Sequence, residues 1–473
     1  MSNSASAVTT GNGTPQQHDT QPQLRYTFQQ WDQQRRQLPE HADPERVRFQ
    51  EIKTRIHQQL VESLDLSAVR PEDQPYLLQQ MRQLVQQAVA QGRWELLPEQ
   101  RNRMAEELMD ELFGLGPLEP LMRDPEITDI LVNDPYTVYV ERRGRLELTD
   151  VVFADQEHLW RLIQRIVARL GRRIDEASPM VDARLPDGSR VNAVVPPLAL
   201  GGPCLSIRRF GFRPLEIEDL LAGGSLPQQV VRFLAAAIQA RVSMVISGGT
   251  GAGKTTLLNA LSRYIPAEER IITIEDSAEL ILRNRHWVRL ETRLPNIEGQ
   301  GEVTQRDLVR NSLRMRPDRI IVGEVRGPEV WDMLQAMNTG HEGSLTTVHA
   351  NSAPDALIRL EMMIQLAGSH IPIEVIRQYI ASGIQLVVHL ARLKGGRRRL
   401  MQVVEIQSAE KGQYRLVPLF GFRQTGVDAR GGATGHFFAT GQEPQCAQRI
   451  AEMGVELPPD LFAACERLEP SAS

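Results

Sequence analysis

Long apolar runs are missing from this sequence, and their absence limits what the chain can be. A transmembrane helix needs about 18 or more consecutive apolar residues. The strongest candidate, VVRFLAAAIQARVSMVIS, is interrupted by Arg232, Gln239 and Arg241. The first 23 residues have neither the basic nor the apolar segment of a secretory signal. We therefore expect the chain to stay in the compartment where it is made.

Cysteine and an excess of basic charge are also scarce. Cys204, Cys446 and Cys465 are far apart and form no C-x-x-C pair, which argues against a structural zinc site or a disulfide framework. The net charge is −5 and the pI about 6.1. This balance argues against a mainly basic nucleic-acid binder, and we expect no nucleic acid among the partners.

What is present indicates a soluble-type composition and several domains. The chain has 473 residues, of which 41% are hydrophobic, so two or three domains are expected. Changes in composition and hydrophobic period predict five segments. They are a disordered tail (1–23), a helical module (24–101), an α+β domain (102–213), an α/β domain with a parallel sheet and crossover helices (214–425) and a C-terminal tail (426–473).

The clearest motif is a glycine-rich loop between a buried strand and a helix. The stretch GGTGAGKT fits the pattern G-x-x-x-x-G-K-[ST]. Such a loop points backbone N–H groups at phosphates, a lysine reaches the β- and γ-phosphates, and a hydroxyl ligates Mg²⁺. We assign Lys254 and Thr255 to these two roles. The predicted nucleotide-binding residues are Gly248, Gly249, Thr250, Gly251, Ala252, Gly253, Lys254, Thr255 and Thr256.

Two further strands end in carboxylates. RIIVGEVRG carries Glu324, which we expect to orient and deprotonate the attacking water. RIITIEDSAEL carries Glu275, Asp276 and Glu279, of which Glu275 is the best candidate for a second contact with metal or water. Carboxylates at these positions are expected near a ligand because the carboxyl ends of parallel strands form the binding edge of such sheets.

Histidines and arginines complete the candidate site. The polar segment NTGHEGSLTTVHAN contains His341 and His349, which either sense the γ-phosphate or are ordinary structural residues. Arginines that neutralise the transition state often come from another domain or subunit. In the preceding α+β domain, the candidates lie close together at predicted strand ends: Arg184, Arg190, Arg208 and Arg209.

Several motifs, taken in order, resemble one family. Four of them resemble the Walker A, Asp box, Walker B and His box of the secretion ATPases of type II secretion, type IV pili and type IV secretion: GGTGAGKTT, TIEDSAEL, LRMRPDRIIVGEVRG and NTGHEGSLTTVHAN. Three others look like the CpaF branch, which drives Tad (Flp) pili: LFGLGPLEPLMRDPEITDILVN, GRRIDEASPMVDARLPDGSRVNAVVPPLAL and LETRLPN. The four-cysteine zinc motif of many type II and pilus-extension relatives is absent.

The resemblance implies roles for individual residues. Glu324 would be the catalytic glutamate, Glu275 would support the attacking water, and His349 would lie near the γ-phosphate. Three arginines of the N-terminal domain would meet phosphate across a domain cleft or a subunit interface: Arg190, Arg208 and Arg209. ATP and Mg²⁺ would be the ligands, with Thr255 holding the metal.

The resemblance also implies a fold and an assembly. The fold would be a PAS-like N-terminal domain hinged to a RecA-like ATPase domain, assembled as a homo-hexamer. The ring would lie in the cytoplasm at the inner face of the inner membrane, which it would reach through a platform protein. The leading interpretation is an ATP-driven motor for Tad pili; the alternative is the ATPase of a type IV or type II secretion channel.

Two other classes are compatible with a phosphate-binding loop. A DNA translocase would need a basic, aromatic stripe, and the net charge of −5 argues against one. A regulatory GTPase would need a guanine-reading N-K-x-D stretch, and the sequence contains none. We therefore expect ATP as the nucleotide.

Overall fold

The computed structural model describes residues 43–63, 74–92, 94–142, 144–209, 214–295, 299–368, 371–410, 412–429 and 431–468. The chain divides into two compact units, with the division between residues 210 and 211 rather than after 213. The predicted disordered tail and the first part of the predicted helical module lie outside the described residues. Among the described residues, no helix is long and apolar enough to cross a membrane.

The first unit begins with three helices. They are α1 (Pro44–Ser63), α2 (Gln74–Gly92) and α3 (Pro98–Phe113). Apolar residues at helical spacing form a common core between them, in which Ile56, Val85, Met104 and Leu108 are buried. The predicted boundary between residues 101 and 102 is therefore wrong, because it runs through α3, which packs as one piece with α1 and α2.

A six-stranded antiparallel sheet follows. The helices of this region are α4 (Glu119–Arg123) and α5 (Gln156–Arg169). The strands are β1 (Ile127–Asp134), β2 (Thr137–Arg142), β3 (Arg145–Leu148), β4 (Met180–Arg184), β5 (Arg190–Val194) and β6 (Cys204–Arg208), in the spatial order β3-β2-β1-β6-β5-β4. Alternate residues of the strands and the apolar face of α5 form the core, and Ile130, Ile163 and Ile207 are fully buried. This region combines helices with an antiparallel sheet, as the α+β prediction expected.

Buried charges join the three helices to α5. Lys53 is 0% exposed, and its Nζ lies 3.1 Å from a carboxylate oxygen of both Glu107 and Glu111. His158 Nε2 on α5 lies 2.9 Å from Glu111 Oε1. Burial alone would raise the pKa of Glu111, but Lys53 and His158 outweigh it and hold that pKa far below its usual value. Because a buried charge needs its partners, these contacts fix the helices to the sheet domain.

The second unit is built on a ten-stranded mixed sheet. Its strands are β7 (Met244–Gly248), β8 (Ile271–Glu275), β9 (Trp287–Glu291), β10 (Arg319–Val322), β11 (Leu345–His349), β12 (Leu386–Arg392), β13 (Arg398–Glu410), β14 (Gln413–Val427), β15 (Ala433–Ala439) and β16 (Cys465–Leu468). The spatial order is β16-β15-β14-β13-β12-β7-β11-β10-β8-β9. The six strands from β12 to β9 run parallel, and β13 to β16 add antiparallel pairs.

Helices cover both faces of this sheet. They are α6 (Ile217–Ala222), α7 (Gln228–Gln239), α8 (Lys254–Ser262), α9 (Gln305–Ser312), α10 (Glu329–Asn338), α11 (Ala353–Leu366), α12 (Ile373–Gly383) and α13 (Cys446–Glu452). Each face has its own core: Ile246 packs in one with Phe233, and its neighbour Val245 packs in the other with Ile320. Burial on both faces explains why β7, β8 and β10 are made mainly of apolar residues.

The structure corrects two predictions for this unit. The sheet is mixed, not only parallel, because the chain folds back antiparallel after β12. The predicted C-terminal tail, 426–473, is part of the sheet: β14 ends at Val427, and β15, α13 and β16 follow. Within β15, Ala433, Phe437 and Ala439 are buried, and the residues between them are not. Side chains on one face of a strand recur every two residues, and the glycines of this segment make that period hard to see in the sequence.

Glu405 ties the C-terminal helix to the sheet, and we expect it to stabilise this unit. The carboxylate is 2% exposed and accepts hydrogen bonds from the backbone N–H groups of Gln445 (2.9 Å) and Cys446 (2.8 Å) at the start of α13. Glu405→Ala leaves these donors without their acceptor, which should cost about 1–3 kcal/mol. Urea unfolding followed by circular dichroism measures the loss. Glu443→Ala, an exposed control, should change stability by less than about 0.5 kcal/mol, and equal effects would contradict the assignment.

Candidate functional site

The glycine-rich loop connects the buried strand β7 to α8. All five residues of β7 are buried, and α8 begins at Lys254. Gly253 caps the helix with a φ of 96°, a left-handed conformation that residues with a side chain rarely adopt. The loop therefore ends on the N–H groups and the positive dipole end of a helix, an arrangement that favours an anion.

Lys254 is held over this loop. Its side chain is 7% exposed, and Nζ donates to the carbonyl oxygens of Gly248 (3.0 Å) and Gly249 (3.2 Å). A buried ammonium needs nearby acceptors, and the two carbonyls supply them. The predicted lysine is thus placed in the loop, where phosphate oxygens would be further acceptors.

Glu324 and His349 converge on this lysine. Glu324 follows β10 and His349 ends β11, which are neighbours in the sheet. His349 Nε2 lies 3.3 Å from Lys254 Nζ and, at ion-pair distance, 2.9 Å from Glu324 Oε1. Burial lowers the pKa of His349, with Lys254 adding to the effect and Glu324 opposing it. A neutral imidazole carries either a proton or a lone pair at Nε2, so this one atom either accepts from Lys254 or donates to Glu324.

Arg326 also contacts the carboxylate of Glu324, and the sequence analysis did not select it. Its Nη2 donates to Glu324 Oε2 over 2.7 Å, and its Nη1 lies 3.7 Å from Asp276 Oδ2. Both oxygens of Glu324 thus have a nitrogen neighbour. The clue in the sequence was the basic residue two positions after the glutamate.

Glu275 is buried beside these groups. It is 3% exposed at the end of β8, and its Oε1 accepts from the backbone N–H groups of Glu279 (2.8 Å) and Leu280 (2.9 Å). A Cβ on Gly323 would lie 2.8 Å from its Cγ, so a side chain at this position would collide with Glu275. This close approach explains the glycine of the Gly-Glu pair that follows β10. Burial raises the pKa of Glu275 to about 7.

The candidate metal ligands fit Mg²⁺ in part. Thr255 and Thr256 lie in the first turn of α8 and are half-buried. Glu275 Oε2 is buried without a hydrogen-bond partner among the described residues. Mg²⁺ prefers oxygen ligands and keeps several waters. The hydroxyl of Thr255 and phosphate oxygens suit it, and Glu275 could accept from a water in this region.

The two histidines of the polar segment are separated. His349 ends β11, whereas His341 precedes the start of the same strand, in the turn after α10. The backbone N–H of His341 donates to the backbone carbonyl oxygen of Ala336 over 3.1 Å. The strand therefore places only His349 at the loop, and this resolves the ambiguity that the sequence left between them.

Three of the predicted arginines lie in a cross-strand row in the first unit. Arg184 is paired with Arg190, Arg190 with Arg208, and Arg208 with Asp129 on the next strand. Paired residues of neighbouring strands share a face of the sheet, so the row concentrates positive charge there.

Arg209 differs from its neighbour Arg208. It is 8% exposed, its Nη1 donates to the backbone carbonyls of Ile127 (3.1 Å) and Asp124, and burial lowers its pKa. These bonds secure the loop before β1. They also hold Nη1 within its own domain, and the phosphate contact of Arg209 stays a prediction. The two residues differ because strand alternation turns adjacent residues to opposite faces.

This fold and site define a P-loop ATPase, with a glycine-rich loop, a buried lysine and carboxylates at the ends of neighbouring parallel strands. Residues 111–421 match the family described as Type II/IV secretion system protein. The match spans well over half of the chain, and the protein belongs to this family as one of its ATPases.

Two relatives and one solved structure illustrate the family. A protein of Mycobacterium tuberculosis H37Rv named "Putative conjugal transfer protein" is 43% identical over 309 residues, which are 64% of this chain and 87% of the relative. The Type IV secretion system protein VirB11 of Brucella suis is 33% identical over 306 residues, 59% of this chain and 84% of the relative. The crystal structure of the Brucella suis VirB11 ATPase with sulphate covers 61% of this chain and 95% of that chain, with 32% identity and a TM-score of 0.34.

The predicted secretion ATPase is thus confirmed at the level of the family. The CpaF branch is a finer assignment and stays a prediction. The names of these relatives favour the secretion-channel alternative over the Tad pilus as the leading interpretation.

The raised pKa of Glu275 predicts a pH-dependent stability. Its pKa is about 7 in the folded chain and 4.5 ordinarily, so the folded chain binds more protons between these values. Glu275 therefore contributes to the free energy of unfolding in its protonated form. This contribution is fully present below about pH 4.5 and is lost as the pH rises through about 7. The side chain in Glu275→Gln stays neutral and keeps the Oε1 acceptor. The free energy of unfolding of this variant at pH 8 should therefore exceed that of the wild type by about 1–2 kcal/mol.

Thermal unfolding at pH 5 and pH 8 measures this difference. Glu291→Gln is the matched control, since Glu291 is exposed at the same register on β9. The control should change little at either pH. A Glu275→Gln effect of equal size at both pH values would contradict the raised pKa.

Proposed function

We propose that this protein is the ATP-hydrolysing motor of a secretion machine of the type IV kind. The carrying observation is the convergence of Lys254, His349 and Glu324 at the glycine-rich loop. The names of the relatives, one a conjugal transfer protein and the other a type IV secretion protein, support this choice of machine. The motor acts as a homo-hexameric ring in the cytoplasm, bound to a platform protein at the inner membrane.

A Tad pilus is the second candidate machine. The CpaF-like motifs of the first unit support it, above all VDARLPDGSRVN, which spans β4, the following turn and β5. Both candidates require the same chemistry at the loop. They differ in the cargo that the ring drives.

The chain's own groups divide the work of hydrolysis. Lys254 binds the β- and γ-phosphates, and the loop N–H groups and the start of α8 orient them. Glu324 positions the attacking water and accepts its proton, for which it must leave Arg326. His349 Nε2 lies between Lys254 and Glu324, and it exchanges its hydrogen bond between the two when its tautomer changes. When bound through Thr255, Mg²⁺ neutralises the charge that develops on the phosphates.

The arginines of the first unit are candidates for a contact with phosphate. In the row of Arg184, Arg190 and Arg208, the guanidinium groups are donors suited to phosphate oxygens. Arg208 is exposed on β6, and we assign to it the contact with the γ-phosphate. A ring would bring it to the site of its own subunit or to that of a neighbour.

Glu324→Gln tests the catalytic assignment. The amide still fills the site but cannot accept a proton, so we expect hydrolysis to fall about 100-fold or more with ATP affinity retained. Phosphate release and binding of a fluorescent ATP analogue measure the two quantities. Glu342→Gln is the control, because Glu342 lies in the turn before β11 and pairs with Arg449. Near-normal turnover of Glu324→Gln would move the role of base to Glu275.

The same variant at the native locus separates the two machines. Negative-stain microscopy and the secreted proteins of the cells are compared with the wild type. Loss of secreted proteins with filaments unchanged supports a secretion channel, whereas loss of thin surface filaments supports a pilus. If both stay normal, the motor has neither role.

Mixed rings test the arginine. Arg208→Ala should lower hydrolysis at least tenfold, because a charge-assisted phosphate contact is lost, while Arg145→Ala on the exposed edge strand β3 should not. Mixing Arg208→Ala with the binding-deficient Lys254→Ala should restore activity if Arg208 serves a neighbouring subunit. No restoration places it in its own subunit's site, and wild-type activity of Arg208→Ala alone would mean that it is structural.

A further inference from the structure

A strand beside β7 runs past the glycine-rich loop. β12 pairs with β7 in parallel, and its Leu390 lies opposite Gly248, the last residue of β7. β7 stops there and the loop begins, but β12 continues for two more residues to Arg392. The end of β12 is therefore carried alongside the loop.

The chain then turns and returns with a second arginine. The turn lies at Lys394–Gly396, and β13 begins at Arg398, the cross-strand partner of Arg392. We call residues 392–398 the basic hairpin.

Both arginines lie against the loop. Arg398 Nε donates to the carbonyl oxygen of Gly251 over 2.9 Å. A Cβ built on Gly251 would lie 3.4 Å from Arg392 Nη1, and one built on Gly253 would lie 3.5 Å from Arg398 Cδ. The hairpin therefore packs against the side of the loop that is formed by glycines and carries no side chains of its own.

The order of the strands shows on which side of the loop the hairpin lies. In the sequence β13-β12-β7-β11-β10, Glu324 and His349 follow strands on one side of β7, and the basic hairpin follows strands on the other. ATP is an elongated ligand. If its γ-phosphate faces Glu324, its α-phosphate and nucleoside extend toward the opposite flank of the loop.

The chemistry of the hairpin suits that end of the molecule. A guanidinium donates paired hydrogen bonds to phosphate oxygens and stacks on flat aromatic groups such as a base. Arg392 is exposed, so its side chain is accessible to a ligand. Arg398 is half-buried and bonded to the loop, which suits a residue that holds the hairpin in place.

We propose that the basic hairpin is the second half of the nucleotide site, in which Arg392 binds the α-phosphate and nucleoside end of ATP. Arg398 is a positioning residue that fixes the hairpin to the loop through Gly251. This assignment rests on the proposed function, because it requires ATP in the loop.

Binding of two probes to the purified full chain tests the assignment. MgADP reaches both halves of the site, whereas magnesium pyrophosphate reaches only the loop. Arg392→Gln should weaken MgADP binding about tenfold, as expected for a lost hydrogen bond to a charged group, and should leave pyrophosphate binding within about twofold. Arg392→Lys keeps the charge and should restore part of the ADP affinity.

Two variants supply the controls. Arg397→Gln removes the same charge from the same hairpin, but Arg397 Nη2 donates to Asp428 over 2.7 Å, and both affinities should stay unchanged. Arg398→Gln acts through the loop and should weaken both probes, with recovery in Arg398→Lys.

Three outcomes would overturn the assignment. If Arg392→Gln weakens both probes equally, Arg392 supports the loop as a whole and does not bind the nucleoside end. If neither probe is affected, the hairpin lies outside the site. If the wild type binds neither probe, the proposed function fails, and the role of the hairpin fails with it.

Discussion

The backbone N–H groups of the loop can hold a phosphate only if the strand that precedes the loop is rigid. The rest of the site depends on how β7 is held in place. β7 is buried along its whole length and pairs in parallel with β11 on one side and β12 on the other. Its side chains enter the cores on both faces of the sheet. Because parallel neighbours end at the same edge, they also deliver His349, Glu324 and Arg392 to the loop that follows.

Dense packing at this edge has electrostatic consequences. Glu275 is so close to the backbone of β10 that only glycine fits at position 323, and the same burial raises its pKa. His349 is kept neutral by burial beside Lys254. A neutral imidazole between an ammonium and a carboxylate can rearrange its hydrogen bonds without moving net charge, which suits a site whose phosphate charge changes during turnover.

Much of the site could be predicted from the sequence, and the failures have physical causes. Lys254, Glu324 and His349 belong to local motifs whose spacing reflects strand ends, so their order along the chain was informative. Arg398 bonds a loop residue 147 positions away, and no local pattern signals such a pair. Arg208 and Arg209 have the same chemistry and could not be told apart from the sequence, whereas strand alternation gives the two residues different surroundings.

The sequence by itself determined the class of chemistry: the loop pattern, the carboxylates after apolar strands and the order of motifs specify a P-loop ATPase of the secretion family. Only the tertiary structure decided which charged groups act together. It placed Arg326 on Glu324, separated His341 from His349, and built the glycine-rich C-terminal segment into the ATPase sheet. The reason is that hydrogen-bonded strand pairing sets distances between residues that are remote in the chain, and sequence spacing records only neighbours within one element.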